Sequence, residues 1–220
     1  MTQDGHHDLV VVAATDREAA PFRSRGISTV VSGVGRVNAA VATTLAITSR
    51  STPPTIVSAG IAGALPVEGD FTDALPVGSV VIADQSVYAE EGMISGKGFA
   101  TISEMGFPLA AFATGNAIPA DPIAMDRIRR MIPDAAVGRI ATVATCSGTD
   151  ERCAEIANRT EALAEAMEGA AVVHAARLLG AAAVEIRTIS NRTGERERQG
   201  WDLDAAFAAL DVVAAAFNPG

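Results

Sequence analysis

Glu165-Ala166-Met167-Glu168-Gly169-Ala170-Ala171-Val172-Val173-His174 carries a carboxylate at the start of an Ala-rich apolar run that reaches Leu178-Leu179-Gly180. Val172, Ala175, Ala176 and Leu179 recur at helical spacing and Gly180 supplies a stop, so the stretch predicts a helix beginning at Glu168. Burying a carboxylate is costly without partners, and a helix N-terminus offsets part of that cost. Two local readings stand level. One is a solvated acid in a first helical turn. The other is a carboxylate aimed into a cavity, accepting hydrogen bonds from a ligand's hydroxyls.

On the C-terminal side, residues 181–189 form a strand-length run that ends in Ser190-Asn191-Arg192-Thr193-Gly194. A charged loop over 195–199 leads to Trp201 and a helix over 202–216. On the N-terminal side, 137–145 reads as a strand with Cys146-Ser147-Gly148-Thr149 as its exit turn, preceded by a helix over 121–131. Residues 88–119 are glycine-rich and weakly periodic, which predicts an irregular lid or interface segment. Strands follow at 77–84 and at 55–59. The latter closes in Gly60-Ile61-Ala62-Gly63, either a plain turn or a place where small residues let backbone approach a flat ligand. A strand at 27–31 enters Ser32-Gly33-Val34-Gly35-Arg36-Val37-Asn38 and a helix to about Ser49. Asn38 occupies the third glycine position of a dinucleotide fingerprint and no Walker lysine follows, which favours a tight strand-to-helix turn. The chain opens with a strand at 8–14 and a short helix from Thr15 that carries Glu18.

Strands alternating with helices predict an α/β fold: one domain over 1–220 with a central, mostly parallel twisted sheet flanked by helices, and residues 1–7 disordered. Ligands of such sheets bind beyond the carboxyl ends of the strands. Glu18, Glu168 and Asn191 all fall at strand exits or helix starts, which suggests one pocket. Each also has an ordinary reading, an exposed first-turn acid for Glu18 and a side chain capping its own turn for Asn191.

The 220 residues suffice for a well-buried core, and 49% apolar content with mean hydropathy +0.26 argues against disorder. No run is long and apolar enough to span a membrane, and the polar start lacks a signal-peptide core, so a cytoplasmic protein is expected. A net charge of −9 and a pI of about 4.8 argue against a nucleic-acid partner. Cys146 and Cys153 make neither a metal site nor a disulfide framework, and Cys146 reads as a small core residue. His6 and His7 read as a frayed terminus. No cofactor and no metal are expected.

The segments 32–40, Gly60-Ile61-Ala62-Gly63, Val77-Gly78-Ser79-Val80-Val81, Ala166-Met167-Glu168-Gly169-Ala170 and Ile189-Ser190-Asn191 occur in an order that resembles the nucleoside phosphorylase and nucleosidase family over nearly the whole chain. Ser147-Gly148-Thr149-Asp150, Glu165-Ala166-Met167-Glu168-Gly169, and Ser190-Asn191-Arg192 with Arg196-Glu197-Arg198 and Trp201-Asp202-Leu203 behind it make it most similar to that family's futalosine hydrolases. The resemblance implies a nucleoside substrate and a homodimer or larger assembly. It also implies Glu18 as the base that activates water, Met167 packing under a ribose and Glu168 binding the ribose hydroxyls. Thr15, Gly60, Ile61, Ala62 and Arg192 are further candidates for contacting substrate. Asn191 stands where methylthioadenosine and adenosylhomocysteine nucleosidases carry an aspartate. A neutral amide donates N–H groups at any working pH and suits a 6-oxopurine, whose N7 and O6 are acceptors. Arg36 is the one candidate near the glycine loops for holding phosphate. Arg192, Arg196 and Arg198 are candidates for the benzoate carboxylate of futalosine. The alternatives are a methylthioadenosine/adenosylhomocysteine nucleosidase, a purine nucleoside phosphorylase and a nucleoside-binding module without catalysis.

Overall fold

The computed structural model describes residues 9–67 and 69–217, so His6 and His7 lie outside the described residues. Period-2 patterning sets the layers. In β1 (Leu9–Ala13), Val10 and Val12 face one cluster and Val11 faces the other. The first cluster takes in Ile56, Ala183 and the helices α2 (Arg36–Thr48) and α5 (Gly169–Leu178). The second takes in Phe22 of α1 (Asp16–Arg23), Ile128 of α3 (Pro122–Met131), and Leu210 and Val213 of α6 (Leu203–Ala216). Each sheet face is thus covered by helices, as its apolar runs require.

The sheet departs from the expected open, mostly parallel form. Its order is β10 (Ala183–Arg192), β4 (Val80–Tyr88), β8 (Ala136–Thr142), β9 (Ala162–Ala166), β3 (Thr55–Ala64), β1 and β2 (Ser28–Val31). β3 also pairs with β10 along its length, which closes β3, β10, β4, β8 and β9 into a ring. The pairings β10–β4, β3–β9 and β4–β7 (Ala117–Pro119) are antiparallel, so the sheet is mixed. Closure depends on β3 continuing to Ala64, past the turn expected after Ala59. At Gly60 a Cβ would lie 2.4 Å from Glu18 Oε1 and 2.5 Å from Arg187 Nη1; at Gly63 it would lie 2.8 Å from Thr193 Cγ2. These glycines serve close approach within a strand rather than a turn.

Three further differences are local. Residues 88–119 contain the hairpin β5 (Gly92–Ser95) and β6 (Gly98–Thr101), followed by β7, instead of an unbroken irregular loop. α4 (Asp150–Thr160), with Thr149 accepting from Arg152 N, and β9 occupy a stretch for which no element is expected from the sequence pattern. β8 ends at Thr142, so residues 144–146 have left the sheet; Cys146 is exposed rather than a core residue. Among the described residues no helix is long and apolar enough to cross a membrane.

Gly169 begins α5 against the buried Glu185 of β10, and a Cβ there would stand 1.9 Å from the Glu185 carboxyl. Gly→Ala in an ordinary helix gains about 1 kcal/mol. Here the sign reverses: Gly169→Ala is expected to destabilise the protein by about 1–3 kcal/mol, the usual range for overpacking. Urea denaturation reads it, and an unchanged or raised midpoint would refute the close packing of Gly169 on Glu185.

Candidate active site

A cavity of about 710 Å³ opens where β1, β3, β8, β9 and β10 end, lined among others by Thr15, Glu18, Ile61, Ala62, Met167, Glu168 and Asn191. That volume is in the range of small-molecule sites. Gly60 and Arg192, two other sequence candidates, lie outside the lining. Gly60 is covered by Glu18 and Arg187, and the exposed Arg192 guanidinium sits 5.8 Å from the Phe71 ring. Arg36 pairs with Glu91 and Arg198 with Asp150.

Glu18 is held by the helix it starts. Thr15-x-x-Glu18 closes a capping box: Glu18 N donates to Thr15 Oγ1 at 3.3 Å, and Thr15 N and Oγ1 donate to Glu18 Oε2 at 3.0 and 2.8 Å. Ile61 N donates to Oε1 at 3.0 Å, and the residue is only 5% exposed. A carboxylate has about four acceptor positions. Three are occupied, which leaves one for a molecule in the cavity.

Glu168 precedes α5 but makes no side-chain cap to it. Its Oε1 instead accepts from Gly35 N at 3.0 Å, and its Oε2 lies 3.7 Å from Arg187 Nη2. Gly33 and Gly35 take φ of +84° and +96°. The glycine-rich loop therefore serves as the tight turn expected of it, and it aims an N–H at a carboxylate. Asn191 is 3% exposed and follows a register shift in β10. Its Oδ1 lies 2.8 Å from Ser190 Oγ and its Nδ2 donates to Arg192 O at 2.6 Å. One amide N–H remains for a ligand.

Beneath these groups lies a buried layer that sequence reading missed. Arg187, 1% exposed, donates from Nε to Glu185 Oε1 at 2.9 Å and from Nη2 to Ser58 Oγ at 3.1 Å. Ser86 Oγ donates to Glu185 Oε2 at 2.5 Å. Desolvation opposes the Arg187 charge, but Glu185, Glu168 and Glu18 outweigh it and hold the guanidinium pKa above its ordinary value. Burial pushes the Glu185 carboxyl up, against the pull of Arg187. Ionic side chains two apart in an otherwise apolar strand point to one face; that spacing was the available signal.

Also missed were Glu165, Ser147, Gln199 and Phe207, which line the cavity. Glu165 accepts from Ser147 N at 2.8 Å and Ser147 Oγ at 2.6 Å, and desolvation raises its pKa. Cys146 Sγ sits 3.6 Å from Met167 Sδ. Although the residue is exposed, partial desolvation of the sulfur, then Glu165 and Glu168, push its thiol pKa up.

Comparison with known proteins is consistent with this geometry. The model of the phosphorylase superfamily matches residues 20–217. Futalosine hydrolase of Streptomyces coelicolor is 36% identical over 156 residues, 70% of this chain and 61% of that protein. Futalosine hydrolase of Thermus thermophilus is 31% identical over 193 residues, 86% of this chain and 80% of that protein. The chain thus spans less than two thirds of the Streptomyces protein. Among solved structures, the 5'-methylthioadenosine/S-adenosylhomocysteine nucleosidase of Neisseria meningitidis in complex with methylthio-immucillin-A superposes with a TM-score of 0.74 at 23% identity, covering 95% of this chain and 97% of that one.

Proposed function

The chain belongs to the phosphorylase superfamily, and from that premise we propose that it hydrolyses the N-glycosidic bond of futalosine, releasing hypoxanthine and dehypoxanthine futalosine for menaquinone biosynthesis. The observation that carries this reading is Asn191, buried in the cavity wall beside Glu18 and Glu168 with one amide N–H unused.

Breaking the bond builds positive charge on the ribose and negative charge on the leaving base. Only contacts that strengthen in that transition state raise the rate. Glu168, in the field of Arg187 and bonded by Gly35 N, offers its remaining acceptor positions to the ribose hydroxyls and its charge to the oxocarbenium. The Asn191 N–H meets N7 or O6 of a 6-oxopurine, where an aspartate would repel both. Glu18 uses its one vacant acceptor position for water and takes the proton as C1' is attacked. Met167 and Ile61 supply apolar walls.

Water is favoured over phosphate as nucleophile. Arg36 is engaged by Glu91, and Arg17 in the cavity lining is paired with Asp204. The reading includes one catalytic domain, a cytoplasmic setting and a homo-oligomer. The last is supported by exposed Val37, Val41 and Leu45 along one face of α2.

Chromatography of base release from futalosine, inosine and methylthioadenosine, each with and without phosphate, tests it. Phosphate-independent hypoxanthine release with futalosine preferred is the expected result. Adenine release from methylthioadenosine as the main activity would instead establish the nucleosidase reading, and phosphate-dependent inosine cleavage a phosphorylase.

A further inference from the structure

We propose that Arg196, Trp201 and Gln199 form a receptor for an aromatic carboxylate carried by the substrate. Arg196 pairs with the anion, Trp201 lies along the ring, and Gln199 is the positioning residue for both. All three line the cavity.

Gln199 is buried, and its amide is fully committed. Nε2 donates to Ser147 O and to Gly194 O, each at 2.9 Å. Oε1 accepts from Trp201 Nε1 at 2.8 Å and from Arg196 Nη1 at 3.1 Å. An amide has two donors and two acceptor lone pairs, so this one side chain fixes an indole and a guanidinium at the cavity wall. The Arg196 Cζ stands 5.6 Å from the Trp201 ring. Backbone bonds pin the same segment independently: Arg196 N donates to Gly148 O at 3.2 Å, and Arg192 N to Gln199 O at 3.0 Å.

The neighbouring cations are engaged elsewhere. Arg17 pairs with Asp204 and sits 4.1 Å from the Phe207 ring, Arg198 pairs with Asp150, and Arg192 lies over Phe71. Among the described residues Arg196 makes no ion pair, and four of its five N–H groups are left for a ligand. In a chain of net charge −9, such a cation beside an aromatic face matches a flat anion. Apart from Arg17, whose guanidinium is paired with Asp204, the charged and amide groups of the remaining lining, Glu18, Glu165, Glu168 and Asn191, are acidic or neutral, so the unpaired cation that an anionic arm meets is on this wall. The natural ligand rests on the futalosine reading, whose substrate bears a benzoate.

Trp201 is the only tryptophan of the chain, so its fluorescence reports this wall directly. Titration with benzoate is expected to give a saturable change that neutral benzamide does not. Arg196→Met and Gln199→Leu should each weaken benzoate binding at least about tenfold, the effect of losing or misplacing a charge-assisted pair. An equal response to benzamide, or undiminished binding by Arg196→Met, overturns the proposal. In turnover, both variants should lower the futalosine-to-inosine ratio of kcat/KM on the order of 10- to 100-fold, carried by KM for futalosine; an unchanged ratio also overturns it. If the unmodified protein hydrolyses neither nucleoside, the futalosine reading fails and the benzoate titration still decides this one.

Discussion

Glu18→Gln is expected to lower kcat for futalosine hydrolysis by about 10²–10⁴, the range of a positioned general base. The substitution suits the site because glutamine also completes a capping box. The bonds from Thr15 N and Oγ1 to one side-chain oxygen can persist. What changes is the other end: an amide nitrogen would face Ile61 N–H, now 3.0 Å from Oε1, and no atom would accept a proton from water. A lost base and a lost fold are separable. The fluorescence of Trp201, which lines the same cavity, should still report hypoxanthine or benzoate binding, and KM should move far less than kcat. Activity within tenfold of the unmodified protein would remove Glu18 from the role of base. Loss of ligand binding in parallel would make it a structural residue of the α1 start.

The placement of Glu18 shows how much of such a site a sequence carries. Strand-length runs end just before Glu18 and at Asn191, and a helical pattern starts at Glu168; period and punctuation alone bring these to one end of a sheet. What they could not give was closure. Gly60 and Gly63 look like a turn because a turn is the commonest local use of glycine. Their actual reason is tertiary: Glu18, Arg187 and Thr193 press against that strand. β9, Ala-Leu-Ala-Glu-Ala, is written in helix-forming residues and is a strand only because β3 and β8 flank it. α4 was legible in retrospect, since Cys153, Ile156, Ala157 and Thr160 are its buried face. Cys146 misled through its apolar neighbours, because β8 stops at Thr142, three residues earlier than its pattern.

Arg187→Met should bring the largest loss of stability of any single change considered. Breaking a buried ion pair by removing one partner leaves an uncompensated charge, at about 3–5 kcal/mol. Glu185 is fully buried, and its carboxyl would keep only the Ser86 hydroxyl. In a domain near this size each kcal/mol shifts Tm by about 2–4 °C, so a fall of roughly 6–20 °C is expected. The sign of the pH dependence identifies the cause. Burial already pushes the Glu185 carboxyl up, and without Arg187 only the hydrogen bond from Ser86 opposes it. The folded state then keeps a proton that the unfolded state releases, so the added loss of stability grows as pH rises above the ordinary glutamate value and shrinks toward acid. Urea midpoints of Arg187→Met against the unmodified protein at pH 5 and pH 8 should therefore differ more at pH 8. Adding Glu185→Leu removes the stranded charge and should recover most of the stability, a coupling that a double-mutant cycle measures directly. It should not recover turnover, since Glu168 would still lack the cation 3.7 Å away that offsets its charge beside Glu18. Equal losses at both pH values, or no recovery in the double variant, would mean that packing volume rather than charge explains the requirement for Arg187.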